Sequence, residues 1–236
     1  MSNYGPHTED SPVIYTPEGL ELKKCLDPVY FITNYVKVLH FTDGLVPLIP
    51  KPQQLEMIDG YENHYHNVVN HESQSGESRL TMAYLLWYTM FHSDKTVMVL
   101  STKDEAAKDL LEIARTAYDN IPNGILKLKM VENNKHCITF DNGSRIIARA
   151  TTEHALKGLS LSLLYLNDFG FIKPNLQSAI LHTAGPHMFT GGKTIVSSNT
   201  QHDRKDAFSE LQDSLIIYKI GNEERHQKIS INHIPA

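Results

Sequence analysis

Apolar and polar positions along the chain change rhythm near residue 66. Before it, residues 20–42, "LELKKCLDPVYFITNYVKVLHFT", carry apolar positions at mixed helical spacing, with Pro28 as a break or a helix start. "GLVPLIPKP" reads as an extended connector, and "QQLEMIDGYEN" as a short helix ending near Gly60. After it the pattern is regular. "HNVVNHE" (66–72) is strand-like, and a glycine-containing turn leads into a helix from about residue 77 to 91. "KTVMVLS" (95–101) is a strand, followed by the helix "KDEAAKDLLEIARTAYDN" (103–120), with Leu110, Leu111, Ala114, Ala117 and Tyr118 on one face. "KHCITFDNGSRIIARAT" holds two strands around the turn Asp141-Asn142-Gly143. "LSLLYLND" (161–168) is continuously apolar, as a buried central strand should be; "NLQSAILHTA" is a helix and "KTIVSSN" (193–199) a further buried strand. This alternation predicts an α/β fold with a mostly parallel sheet, helices on both faces and a β-hairpin insertion. The tail after Asn222 is polar and is assigned no element. There is no internal repeat or low-complexity tract.

Composition narrows the class. The 236 residues are 41% hydrophobic and 21% charged, ordinary for a globular protein with a real core. The net charge of -5 argues against a main role in coating nucleic acid. Two cysteines, Cys25 and Cys137, without C-x-x-C spacing give no disulfide scaffold and point to a reducing compartment. No signal peptide is visible. The longest apolar run, "LTMAYLLWYTMF" (80–91), falls short of the roughly 20 residues a bilayer requires, so a buried helix is expected.

The stretch "NHESQSGES" (70–78) has the outline of a phosphate-binding loop: a strand, then Gly76 where backbone wraps phosphate, then Ser78 at the helix start as the hydroxyl that holds Mg²⁺. Only one glycine of the usual two is present, and Glu77 stands where the loop lysine belongs. Taken alone, a plain strand–turn–helix with an early helix Glu explains the stretch at least as well. The apolar strand "LLYLND" ends as a Walker B strand does, with Asn167 in the metal-holding position and Asp168 in the position that orients the attacking water.

In order along the chain, "LKKCLDPVYFITNYVKVLH", "PLIPKPQQLEMI", "SQSGES", "VENNKHCITFDNGSRIIARATT", "ALKGLS", "LLYLNDFGFI" and "KTIVSSNTQHD" resemble the ATPase domain of the terminase large subunit, the DNA-packaging motor of tailed phages, in the form found in large contractile-tailed phages. The resemblance covers about residues 19 to 203. It implies a three-layer P-loop NTPase core of the ASCE type, with ATP and Mg²⁺ as cofactors if the site works and none otherwise. It places Gln53 at an adenine-sensing position. Ser73, Gln74, Ser75, Gly76, Glu77 and Ser78 become the nucleotide loop, Ser197, Ser198 and Asn199 the coupling strand end, Ser78 and Asn167 the metal positions, and Asp168 the catalytic acid. It divides the chain into an arm (1–18), a helical lead-in (19–52), the core (53–220) and a tail (221–236). A nuclease domain has no room and is not expected. Full-length terminase, the small terminase subunit, the portal protein or double-stranded DNA are the implied partners. A ring of copies and the host cytoplasm are the implied setting, with no membrane.

The departures from the family pattern weigh on mechanism. The loop arginine is Ser73, the lysine is Glu77, the Walker B aspartate is Asn167, and the catalytic glutamate is shortened to Asp168. No Lys or Arg lies between Pro52 and Ser78, and Arg79 sits two positions past Glu77, on another side of the helix. Two unit charges about 4 Å apart interact by roughly 4 kcal/mol at an effective dielectric near 20. The helix N-terminus contributes only about 0.3–1 kcal/mol. The lost attraction therefore wins unless Glu77 turns outward or binds Mg²⁺. Shortening the acid by one methylene retracts it by about 1.5 Å, and errors near 1 Å can cost about 100-fold in rate. Weak or absent hydrolysis is expected. A packaging ATPase with altered chemistry and a pseudo-ATPase that serves as an interaction protein both remain open.

Other constellations carry less. His64, His66 and His71 suggest a zinc site only faintly, and surface or loop histidines are the plainer reading. Lys127, Lys129, Lys135, Arg145 and Arg149 gather positive charge around the hairpin, as a DNA contact or as a charge-protected sheet edge. The cysteines read as reduced core or near-surface residues, and the Asp-Asn-Gly turn needs no function.

Overall fold

A computed structural model describes residues 17–40, 42–124, 127–189, 191–199, 211, 216–220, 223–227 and 230–234. Residues 1–16 of the expected arm, and 200–203 at the end of the resemblance, lie outside them. The elements run α1 (Pro17–Lys24), α2 (Pro28–Tyr35), β1 (Lys37–His40), β2 (Gly44–Pro47), α3 (Pro52–Asn63), β3 (His66–His71), α4 (Glu77–Phe91), β4 (Thr96–Ser101), α5 (Asp104–Asp119), β5 (Met130–Asn134), β6 (Cys137–Phe140), β7 (Arg145–Ala150), β8 (Leu163–Leu166), a 3-10 turn (Phe169–Phe171), α6 (Pro174–Phe189), β9 (Lys193–Ser198), β10 (Ile216–Ile220), β11 (Glu223–Gln227) and β12 (Ser230–Ile234).

Eight strands form one sheet in the order β12-β3-β9-β8-β4-β7-β6-β5. The run from β12 to β7 is parallel, and β6 and β5 add antiparallel at the edge. Strand alternation divides the interior in two. Val97, Val99, Tyr165 and Ile195 face the core built with α4 and α5, whereas Met98, Leu100, Leu164 and Val196 face the core that holds Ile180 and Ala184 of α6. This is the expected α/β architecture with three layers, and α4 is a buried helix as the apolar run predicted. Among the described residues no helix is long and apolar enough to cross a membrane.

Four regions differ from expectation. The segment taken as helix and connector contains a hairpin, β1–β2, in which Leu39 pairs with Leu45 and Val38 is buried. Only Val38 and Val46 are apolar and inward there, so a short two-stranded ribbon imitates irregular helix spacing. Gly60 does not end α3. It is buried inside the helix, and the His64 N–H closes the last turn on its carbonyl. The polar tail is not without structure: β12 lies parallel to β3 and forms the sheet edge. The edge β5 was also missed, because it is almost wholly exposed and lacks an apolar stripe.

The lead-in is ordered by its own contacts and is hydrogen-bonded to α4 of the core. Asp27 caps α2 by accepting from Val29 N at 2.8 Å, so Pro28 begins a helix. The indole N–H of Trp87 on α4 donates to Cys25 O at 2.9 Å. On α1, Glu21 accepts from the hydroxyls of Tyr35 and Tyr30 and from Lys24. Those donors, Tyr35 first, hold its carboxyl down from 4.5 to about 2. A carboxyl with a depressed folded value stabilises above its unfolded value and loses that contribution as pH falls through the folded one. Docking of α1 onto α2 is therefore expected to be constant above about pH 5 and to weaken between about pH 4.5 and 2. Hydrogen exchange of residues 17–24 across that range checks it, and Glu21→Gln should flatten the pH dependence.

Candidate functional site

The site lies at the carboxyl ends of β3, β9, β8 and β4. Odd-numbered positions on β4, β8 and β9 point toward α4, and at the strand ends these positions turn polar: Ser101, Asn167 and Ser197, all buried. The loop after β3 bends back through two left-handed residues, Gln74 (φ 65°) and Gly76 (φ 79°), and α4 starts at Glu77. A Cβ on Gly76 would lie 3.1 Å from Gln54 Nε2, so glycine suits this position for conformation and for space. The amides that open α4 have no acceptor within the helix, and the first intrahelical bond is Leu80 N to Gly76 O. The backbone thus keeps the form of an anion cradle.

The Glu77 side chain neither turns outward nor stands in the cradle. It folds beneath the loop and is 1% exposed. Its carboxylate accepts from Thr81 Oγ1 at 2.9 Å, from Ser78 Oγ at 3.0 Å and from Tyr165 OH at 3.0 and 3.2 Å. Thr81 in turn lies 2.9 Å from the Tyr61 hydroxyl, and Tyr165 lies 3.2 Å from Ser197 Oγ. His71 Nε2 stands 3.6 Å from Glu77 Oε2, longer than a hydrogen bond. Burial, helped by the charge of Glu77, holds the Tyr165 and Tyr61 phenols well above their ordinary range, so both remain proton donors. Hydroxyl donors on several sides let a carboxylate stay in a dry interior.

Asn167 shares these donors. Its Oδ1 lies 2.8 Å from Tyr165 OH and 3.3 Å from Ser78 Oγ. Its Nδ2 donates to Asp168 Oδ2 at 2.9 Å and to Ser101 Oγ at 3.3 Å. The neighbouring carboxylate sets this orientation, since the flipped amide would place oxygen against oxygen. Asp168 is left-handed (φ 54°), half-buried, and opens the 3-10 turn. Ser198 accepts from Gly170 N at 3.0 Å, which joins the end of β9 to that turn.

The structure thus brings together Ser75, Gly76, Glu77, Ser78, Asn167, Asp168, Ser197 and Ser198. Ser73 and Gln74 are exposed on the loop, and Asn199 is half-buried at the end of β9. Gln53 does not make the loop contact. Its neighbour Gln54 is the buried one, accepting from Lys51 N and donating to Ser75 O at 3.1 Å. Thr81 and Tyr165 were not singled out, although spacing marks both: Thr81 is one helical turn after Glu77, and Tyr165 is on the same strand face as Asn167.

His66 and His71 are buried in β3 rather than at the surface, and no group of three metal-binding side chains occurs among the described residues. Lys135, Arg145 and Arg149 line a shallow groove of about 620 Å³ with His136 and Glu132, whereas Lys127 lies over the Tyr118 ring instead. Cys25 is buried and Cys137 half-buried, both free.

These residues do not fit a Mg²⁺–triphosphate. The loop offers amides but no cation, its metal-position hydroxyl donates into a carboxylate–amide network, and the first acid of the strand is an amide.

Comparison with known proteins agrees with the architecture. The family described as "Terminase large subunit, T4likevirus-type, N-terminal" matches residues 73–210. The fold is similar to the large terminase ATPase domain of Thermus phage P74-26, at 14% identity over 79% of this chain and 81% of that one, with a TM-score of 0.56. It is similar to the large terminase of bacteriophage HK97 (16% identity, 80% and 40% covered, TM-score 0.60). It is also similar to the large terminase of another thermophilic bacteriophage, in complex with ATP-gamma-S (9% identity, 78% and 44% covered, TM-score 0.52). The chain therefore spans less than half the length of these last two proteins. With more than half of its residues matched, and a P-loop NTPase fold around the degenerate loop, this chain belongs to the terminase large subunit family, T4-like type, N-terminal part.

Proposed function

We propose that this chain is a non-hydrolysing relative of the packaging ATPase, acting in phage DNA packaging as an interaction subunit in the host cytoplasm. Its partners are drawn from full-length terminase, the small subunit, the portal and double-stranded DNA. The observation that carries this is the inward Glu77 carboxylate, held by Ser78, Thr81 and Tyr165. It replaces the cation that would neutralise phosphate and draws Ser78, the metal-position hydroxyl, into its own network. A like charge about 4 Å from an anion in the cradle costs roughly 4 kcal/mol at an effective dielectric near 20. The helix terminus returns about 1 kcal/mol at most at an exposed site.

The competing reading is an active ATPase with altered chemistry. It draws on the intact amide cradle, on Ser78 and Asp168, and on the nucleotide analogue bound by the thermophilic phage terminase. Calorimetry with MgATP separates the two, together with a phosphate-release assay. The expected result is no saturable heat below about 1 mM, an affinity equivalent to roughly 4 kcal/mol, and no phosphate release above background. Micromolar binding with turnover would overturn the proposal.

A further inference from the structure

We infer that Glu77, Tyr165 and Asn167 form one interdependent unit, in which the carboxylate of the site has moved from the end of β8 to the start of α4. Tyr165 is the positioning residue that keeps it beneath the loop. The inference rests on reading positions 77 and 167 as those of the family's lysine and aspartate. It does not depend on whether nucleotide binds.

Two hydroxyl protons are shared between two acceptors. Tyr165 OH reaches Glu77 Oε1 at 3.0 Å and Asn167 Oδ1 at 2.8 Å, and Ser78 Oγ reaches the same two side chains at 3.0 and 3.3 Å. Each hydroxyl has one proton to give. A charged acceptor and a neutral one can divide these donors, because the neutral oxygen loses little when it is served second. Two carboxylates cannot. An aspartate at 167 would set a second buried anion against the Tyr165 hydroxyl that serves Glu77. It would also place an oxygen where Nδ2 now donates to Asp168 at 2.9 Å. Glu77 and an acid at 167 therefore exclude one another. The converse also holds. A lysine at 77 would carry its ammonium toward hydroxyls and a neutral amide, with no anion at the end of β8 except Asp168. Lysine with aspartate, or glutamate with asparagine, satisfies the pocket, and either mixed combination leaves it unbalanced.

Tyr165 makes the second combination possible. The phenol is fully buried, stands between the carboxylate and the amide, and is itself approached by Ser197 Oγ at 3.2 Å. Where lysine and aspartate occupy the two positions, the charges can meet directly, and the phenol loses this task.

The test is a stability cycle measured by thermal unfolding without nucleotide: wild type, Glu77→Lys, Asn167→Asp and the double variant. Each single change is expected to lower Tm by about 10 °C, from roughly 4 kcal/mol of unbalanced charge at about 2–4 °C per kcal/mol. The double variant should unfold above both singles. A double variant whose loss equals or exceeds the sum of the two would overturn the inference. Tyr165→Phe, made in the wild type and in the double variant, tests the positioning role and stays informative if one single variant does not fold. It should lower Tm by about 5 °C in the wild type, the loss of a bond to a charged group, and by much less in the double variant. Equal losses in both backgrounds would reduce Tyr165 to a packing role and refute its part in the unit.

Discussion

Replacing Trp87 by alanine is expected to lower the free energy of unfolding by about 3–5 kcal/mol, a loss of about 10 °C in Tm for a chain of this size. Trp87 is the sole tryptophan and is 2% exposed. Its ring lies against Tyr84 and Phe91 of α4 and His92 just past its end, at centroid distances of 5.5, 6.2 and 5.3 Å. Its N–H donates to Cys25 O, the contact that fixes the α1–α2 junction to the helix bearing the loop. Truncation removes the ring and also leaves that carbonyl without its donor. The Cys25 thiol gives an independent readout. Burial, with Glu21 nearby, pushes it up to about 11, and it has no exposed surface. A thiol-modifying reagent at neutral pH should leave Cys25 untouched in the wild type and label it in Trp87→Ala. Unchanged labelling with a lowered Tm would mean that the lead-in is held elsewhere.

Much of the core was legible because its signals are redundant. The strand at 96–101 is an apolar run, those at 66–71 and 193–198 are centred on β-branched pairs, Val68-Val69 and Ile195-Val196, and α5 shows its buried stripe outright. The β1–β2 ribbon and β5 lacked such redundancy, being short, half or wholly exposed, and settled by pairing with residues that the local pattern does not reveal. In the site, loop and strand end were readable from Gly76, Ser78 and the Asn167–Asp168 pair. The direction of the Glu77 side chain was not. A carboxylate at the first turn of a helix ordinarily points to water, where the helix terminus favours it. Here three hydroxyls from α4 and β8 outcompete water, and two of them, on Thr81 and Tyr165, belong to residues with no phosphate-loop signature. The loop contact of Gln54 has the same origin: adjacent glutamines on a helix point about 100° apart, and the packing turns Gln54 toward Ser75 O.

Gly143→Val is expected to destabilise the chain by about 3–4 kcal/mol, whereas Gly44→Val should cost only about 1–2 kcal/mol. Both glycines are left-handed, at φ +80° and +72°. They differ in what surrounds them. A Cβ at Gly44 meets nothing within 4 Å, and one at Gly143 would fall 2.3 Å from Asp94 Oδ1, with the Asp94 backbone 3.7 Å away. The Asp94 carboxylate can rotate off, but Asp94 is itself left-handed and its N–H donates to Asn142 O. The strain therefore passes to the flanking residues, which close the far end of α4. Asn142 Nδ2 donates to Thr89 O at 2.9 Å and lies within 3.4 Å of Met90 O and His92 O, while Ser144 Oγ donates to His92 O and accepts from Lys95 N. A turn that the sequence offered only as a hairpin signal is thus a clamp on the loop helix. The Asn142-Gly143-Ser144 turn thereby serves the fold, through side-chain bonds to the end of α4 that a hairpin signal does not reveal. Urea unfolding of the two valine variants against wild type measures the difference, and equal losses at both glycines would remove the clamp from the account.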